Sequence, residues 1–236
     1  MTMTTNRYDQ QSIRELFDQM AATYGHVHLA SSLGLAYAWR RQVVAAIGAR
    51  HGHIADFMSG AGEVGALLKD RYERLHCIDL SSSMIDLSRR NLSSHGAAID
   101  FRTEDATACG LPDQSIDAIT CAFGIKTLDS SGRTALLGQF HRLLRPGGIA
   151  SILEFTVPRN RLFAAPFQLY VQHYVPLLGR IFLGNPDTYR RLWEYTRDFT
   201  RGGMFSELDG DGRWLVERRI YMLGAAVHYI ITPARS

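Results

Sequence analysis

Cysteine is scarce in this 236-residue chain: Cys77, Cys109 and Cys121 lie far apart, and no group of His, Cys and carboxylates has metal-ligand spacing. That excludes a disulfide framework and gives no reason to expect a metal. Cys77 and Cys121 fall inside apolar runs and read as buried thiols of a cytoplasmic chain. Long uncharged hydrophobic runs are also missing, so no membrane span is expected, and the polar stretch Met1 to Gln11 lacks the apolar core of a signal peptide. Blocks of one charge are absent. The 26 basic and 23 acidic residues are interspersed and leave a net charge of +3, which gives no footprint for nucleic acid. What is present is a 46% hydrophobic composition, enough for one sizeable core, and no repeat or low-complexity tract divides the chain.

The pattern along the chain alternates. Ile13 to Met20 and Leu35 to Ile47 have helical spacing. A strand at His53 to Met58 ends in Ser59-Gly60-Ala61-Gly62-Glu63, and Val64 to Arg71 is again helical. Further strands are expected at Leu75 to Leu80, Ile99 to Thr103, Ile116 to Phe123 and Ile149 to Phe155. Helices are expected around Met84 to Leu92 and Arg133 to Leu144, and Arg145-Pro146-Gly147-Gly148 reads as a turn. Such alternation implies a mostly parallel sheet with helices on both faces and ligands at the strands' carboxyl ends. Between Val157 and Phe199 the pattern gives way to a Pro- and aromatic-rich insertion, read as a substrate lid, before closing strands at Trp214 to Tyr221 and Ala225 to Thr232. The expected organisation is one domain, 1–236. It has a helical entrance segment (1–50), a cofactor-binding core (51–156), a lid (157–212) and closing strands (213–236).

Gly60, Gly62 and Gly65 form G-x-G-x-x-G between a strand and a helix, where the backbone turns tightly and comes close to a ligand. Dinucleotides use the same pattern, so alone it leaves a nicotinamide oxidoreductase open. Asp79 closes the second strand, where a carboxylate accepts from both ribose hydroxyls, or else simply caps the next helix. Asp105-Ala106 follows the third strand, placed for an adenine amino group and ring nitrogen, a pair that a dehydrogenase does not need.

With these residues in view, the sequence resembles the ubiquinone/menaquinone biosynthesis C-methyltransferase family. The likeness is carried by Asp56-Phe57-Met58-Ser59-Gly60-Ala61-Gly62, Cys77-Ile78-Asp79-Leu80-Ser81-Ser82-Ser83-Met84, Asp105-Ala106, Leu111-Pro112-Asp113 and Ala122-Phe123-Gly124-Ile125-Lys126. It continues through Leu144-Arg145-Pro146-Gly147-Gly148, Leu153-Glu154-Phe155 and Val175-Pro176-Leu177-Leu178-Gly179. Upstream, Ala22-Thr23-Tyr24, Leu33-Gly34 and Trp39-Arg40-Arg41 resemble the family's entrance segment. The resemblance implies a Rossmann-like class I methyltransferase fold with a seven-stranded sheet, S-adenosyl-L-methionine as cofactor, and a small aromatic or quinol-like acceptor. The cofactor set it implies is Tyr24, Ser59, Gly60, Ala61, Gly62, Asp79, Leu80, Met84, Asp105, Ala106 and Ala122.

The departures from the family pattern lie on the acceptor side. Tyr24-Gly25 stands for Tyr-Asp, His28 for Asn and Lys126-Thr127 for Arg-Asn, while Ala61 replaces the loop threonine. These changes keep an enzyme of specialised metabolism, acting on a polyketide-derived ring or methylating O or N, beside the quinone reading. They also keep a non-catalytic cofactor binder open. In quinol chemistry, loss of a phenolic proton makes the neighbouring carbon nucleophilic. Alignment supplies most of the rate, and a base adds roughly 10²-fold or more. Lys126, Tyr24 and His28 are the candidate catalytic residues. Phe123, Lys126, Phe167, Tyr170, His173 and Tyr189 are expected to bind the acceptor, and His228 reads as a packing histidine. The run from Phe163 to Gly184 would form an apolar pocket wall, and it also suits peripheral membrane contact or a homodimer.

Overall fold

The computed structural model describes residues 7–21, 34–48, 52–68, 71–94, 98–181 and 186–234. Helices α1 (Gln10–Ala21) and α2 (Leu35–Ile47) precede the sheet. Then β1 (His53–Phe57), α3 (Glu63–Leu68), β2 (Arg74–Asp79), α4 (Ser82–Asn91), β3 (Ala98–Thr103), β4 (Ile116–Ala122), α5 (Ser130–Leu143) and β5 (Leu144–Phe155) follow in order. Next come α6 (Arg161–Leu169), a π-helical turn (Tyr170–Tyr174), α7 (Val175–Ile181) and α8 (Pro186–Arg201), and the hairpin of β6 (Trp214–Tyr221) and β7 (Ala226–Pro233) closes the sheet.

The seven strands run in the order β3-β2-β1-β4-β5-β7-β6. Neighbours from β3 to β5 are parallel, and β7 runs against both β5 and β6. The chain steps outward from β1 to β3 and then returns to β4 on the other side of β1. That reversal opens a crevice at the carboxyl ends of β1 and β4. Both faces of β1 are buried: Ile54 joins Val44, Val64 and Leu68, while Phe57 meets Phe140 edge-to-face at 5.2 Å. On α5, Leu136, Leu137, Phe140 and Leu143 fall on one face and are fully buried, worth roughly 1.5–3 kcal/mol each.

Three boundaries differ from the sequence reading. Strand β5 runs through Arg145-Pro146-Gly147-Gly148, expected to be a turn, because a register break between Ile116 and Ala118 absorbs the extra residues and Arg145 clamps Asp117 at 2.8 Å. Helix α5 starts at Ser130 because Asp129 caps it, accepting from Gly132 N–H at 2.8 Å. The Pro-rich insertion is helical. Pro186 sits in a first turn, where no N–H is needed, whereas Pro166 lies inside α6 and Pro176 directly follows the π-helical turn that joins α6 to α7.

His228 is a satisfied core residue. Tyr221 O–H donates to its Nδ1 at 3.1 Å, its Nε2 meets Ser151 Oγ at 2.7 Å, and Ser151 donates onward to the Val43 carbonyl. Burial pushes the imidazole down to about 4, and in the neutral ring Nε2–H donates to Ser151 while Nδ1 accepts from Tyr221.

Candidate functional site

A cavity of about 270 Å³ opens at the carboxyl ends of β1 and β4. Met58 and Gly60 follow β1 into it, and Ala122, Phe123 and Gly124 enter from β4. The loop after β2 adds Asp79, Leu80 and Met84, and the loop after β3 adds Asp105, Ala106 and Thr107. Gly60 and Gly62 both take left-handed backbone, with φ of 53° and 81°. A Cβ on Gly62 would stand 2.6 Å from Ser88 Oγ, so this glycine lets α4 pack under the loop, whereas one on Gly60 would meet nothing nearer than Glu63 at 3.7 Å. Met58 and Phe123 also have positive φ, 54° and 67°, which strains the ends of two neighbouring strands at the crevice. Met58 fits there because Gly124 has no side chain: a Cβ on Gly124 would lie 2.4 Å from Met58 Sδ.

Asp79 is held from two sides. Its Oδ2 accepts Gly60 N–H at 2.8 Å and its Oδ1 accepts Ser81 N–H at 3.0 Å, leaving lone pairs for a ligand. Burial pushes its carboxyl up to about 6, against the two backbone bonds that pull it down. Beneath the loop, buried Asp56 bonds Thr120 through Oδ1 while Oδ2 has no partner, and burial raises its carboxyl to about 7. Ser59 Oγ is likewise buried and unpartnered. Asp105 caps the turn Ala106–Ala108 by accepting from Thr107 N–H and Oγ1, both at 2.8 Å, and it also receives the Gln10 amide. A glycine loop open on one side and two backbone-held carboxylates on the cavity wall suit a nucleoside, with two unpartnered oxygens buried under that loop.

The sequence model of the ubiE/COQ5 methyltransferase family matches residues 4–228. The chain belongs to this family. It is an S-adenosylmethionine-dependent methyltransferase, so the dinucleotide reading of the glycine pattern falls. Demethylmenaquinone methyltransferase of Deinococcus radiodurans is 34% identical over 78% of this chain and 77% of its own length. The ubiquinone/menaquinone biosynthesis C-methyltransferase of Cellvibrio japonicus is 31% identical over 79% and 77%. Among solved structures the fold matches the DhpI–SAH complex, with a TM-score of 0.64, 16% identity and coverage of 98% of this chain and 100% of that one. It also matches a methyltransferase from Aquifex aeolicus, with a TM-score of 0.54, 16% identity and coverage of 83% and 89%.

In this family member the cavity gathers most of the expected cofactor set: Gly60, Asp79, Leu80, Met84, Asp105, Ala106 and Ala122 all face it. Ser59, Ala61 and Gly62 form the loop beneath, where the Ala61 carbonyl accepts the Asn91 amide at 2.9 Å. Tyr24 and His28 lie outside the described residues, as does the side chain of Tyr189.

The acceptor side differs more from the sequence reading. Phe123 lines the cavity and stacks on Phe155 with ring centres 4.2 Å apart. Lys126 does not line it. Its side chain is buried, with Nζ 2.8 Å from Glu154 Oε1 and donating to the Phe123 carbonyl, while its own N–H bonds Glu154 Oε2 at 3.0 Å. Glu154 is fully enclosed and needs this countercharge. Phe167, Tyr170 and His173 are also away from the cavity wall: Phe167 packs near Trp193 and Tyr170 stacks on Tyr174. The greasy wall expected from Phe163 to Gly184 therefore does not face this cavity, because only Pro176 and Leu178 of its described side chains are buried.

Helix α1 supplies the wall instead, through Gln10, Ile13 and Phe17, with Tyr8 just before it. It is fastened by Asp18, which accepts from Ser81 Oγ at 2.5 Å and Ser83 N–H at 3.3 Å, and by Tyr195 O–H, which donates to the Arg7 carbonyl at 2.5 Å. Thr127, Leu128 and Asp129, just before α5, and Ser131 in its first turn also line the cavity. The Gly132 N–H, with Ser131 Oγ, holds the Asp129 carboxyl below the usual range. The spacing Asp129-x-x-Gly132 is a cap signature, and Ile13, Leu16, Phe17 and Met20 recur at helical spacing. Those two signals could have found both walls.

Proposed function

We propose that this methyltransferase transfers a methyl group to a ring carbon of a quinol-type aromatic acceptor. The acceptor reading draws on the activities named for the relatives and on one feature of the cavity. Ile13, Phe17, Met58, Phe123 and Leu128 give the cavity an apolar lining, to which Thr127, Asp129 and Ser131 add polar groups. A flat ring with hydroxyls on one edge has that polarity.

On the donor side, the loop Ser59 to Gly62 takes the methionine part, Asp79 the two ribose hydroxyls, and Asp105 with the Ala106 amide the adenine. S-adenosylmethionine supplies an electrophilic methyl on its sulfonium, for in-line displacement by a nucleophile. The protein's own contribution is placement. Phe123 presents a rigid face, fixed by Phe155 and by the Arg40 guanidinium 5.0 Å from its centre. Asp129, kept ionised, accepts a hydrogen bond from an acceptor hydroxyl, orienting the ring and drawing electron density toward the neighbouring carbon. Lys126 acts through Phe123 and Glu154 as a positioning residue.

Transfer of labelled methyl from S-adenosylmethionine to a short-chain demethylmenaquinol, a simple phenol and a hydroxyquinoline tests this, with the methylated atom assigned by NMR. A carbon-methylated quinol is the expected product. Oxygen or nitrogen methylation of the other acceptors, with the quinol untouched, would overturn the acceptor reading.

A further inference from the structure

Helix α6, Arg-Leu-Phe-Ala-Ala-Pro-Phe-Gln-Leu, buries none of its nine residues. Leu162 is 74% exposed, and Phe163, Leu169, Leu177 and Ile181 also stand in solvent. A helix this apolar on its free side normally hides in a core or lies in an interface.

A second element brings more apolar surface to the same place. The β6–β7 hairpin tip carries Met222 and Leu223, both exposed, with φ of 43° and 57°, a backbone that bulky side chains adopt only at a cost. The tip abuts the root of α6: Thr156 Oγ1 donates to the Gly224 carbonyl at 2.7 Å, and a Cβ on Gly224 would lie 3.4 Å from Pro158 Cα. Because Phe155 pairs with Ala226, this face stands at the carboxyl end of β5, the end of the sheet that holds the cavity.

The charge of this segment has one sign. Between Glu154 and Asp187 the sequence has no acidic residue, while Arg159, Arg161 and Arg180 are exposed, and none of them has an ion-pair partner among the described residues. Protruding apolar side chains rimmed by unpaired arginines complement an anionic headgroup layer above acyl chains. A second copy fits less well, since an isologous contact would bring the arginines of both copies into one interface without an acidic residue from this segment to pair with them. No helix among the described residues is long and apolar enough to cross a membrane. We propose that α6, α7 and the Met222-Leu223 tip form a docking face that seats the enzyme on the surface of anionic lipid bilayers. The proposal is independent of the acceptor reading, because seating is measured without any acceptor.

The test is co-sedimentation of the full chain with phosphatidylcholine vesicles, with and without about one-third phosphatidylglycerol. Binding is expected to the anionic vesicles and to weaken with salt. The double variant Leu162→Ser/Leu223→Asn and the pair Arg159→Glu/Arg161→Glu are each expected to bind roughly tenfold or more weakly. All four positions are exposed, and asparagine suits the left-handed backbone at 223. Circular dichroism and S-adenosylmethionine binding by calorimetry serve as controls for folding. Wild-type protein that ignores anionic vesicles, or well-folded variants that bind as wild type does, would overturn the proposal. So would a concentration-dependent dimer abolished by the same substitutions, which would give the face to a second copy.

Discussion

Asp79 Oδ2 accepts the backbone N–H of Gly60 at 2.8 Å, so the carboxylate expected to hold ribose also fixes the glycine loop. Asp79→Ala is expected to weaken S-adenosylmethionine binding by about 1–3 kcal/mol, because two buried hydroxyls lose their acceptor. Asp79→Asn is expected to be at least as damaging, since its amide sets a donor against one of the two N–H groups. With the carboxyl raised to about 6, affinity measured by calorimetry is expected to fall as pH drops through 6. Unchanged affinity in Asp79→Ala, or a flat profile between pH 7 and 5, would refute the assignment.

The Lys126–Glu154 pair makes a different forecast from that of a catalytic lysine. Lys126→Met leaves a fully buried carboxylate without its partner and is expected to lower stability by about 3–5 kcal/mol. Lys126→Met/Glu154→Leu removes both charges and is expected to recover much of that loss. A lone Lys126→Met variant with wild-type thermal stability but no turnover would return Lys126 to direct chemistry.

Gly124→Ala places a methyl against Met58 and is expected to displace the strained ends of β1 and β4 together. Turnover should drop while the far-UV spectrum stays unchanged. Pairing it with Met58→Gly, which removes the opposing Cβ and relieves the positive φ, is expected to restore part of the activity. A double variant no better than Gly124→Ala would remove this contact from the account.

Asp129→Asn keeps an acceptor for the helix cap but loses the charge facing the cavity. The expected result is a fall of roughly 10²-fold in kcat with little change in cofactor affinity, read by single-turnover transfer alongside calorimetry. A kcat within twofold of wild type would take Asp129 out of the reaction.

His228 governs acid stability. Its ring is neutral and buried, with the folded value near 4 and the unfolded value near 6.5. Between those limits the unfolded chain binds the extra proton, so this group's contribution falls as pH drops from about 6.5 to 4. Asp56 and Asp79, raised to about 7 and about 6, act in the opposite sense, since their protonation favours the folded state. The comparison with His228→Leu isolates the histidine: the variant, less stable at pH 7, is expected to lose less in Tm between pH 6.5 and 4.5. Parallel curves would show that folding does not shift this ring's pKa.

The donor half of the site was readable because its chemistry is local. Gly60, Asp79 and Asp105 each stand at a strand end, and alternating apolar runs marked those ends. The acceptor half was not, because it depends on packing between distant segments. Nothing near Lys126 announces that Glu154, 28 residues on, takes its charge, nor that α1 rather than the aromatic insertion would meet the cavity. The insertion misled for a physical reason. Its composition matches a pocket wall, but burial is decided by what lies opposite, and no described element covers α6 closely enough to bury its side chains.

The reversal of the chain between β3 and β4 also has a kinetic meaning. Thr120 reaches Asp56 across 64 residues, and β4 completes the crevice only after β1, β2 and β3 have been laid down. Contacts that close such long loops form slowly. A nascent chain extended only to Leu111 carries the glycine loop, Asp79 and Asp105 but lacks the floor at Ala122 and Phe123. Cofactor capture during refolding should therefore report the late arrival of β4, not the early pairing of β1 with β2.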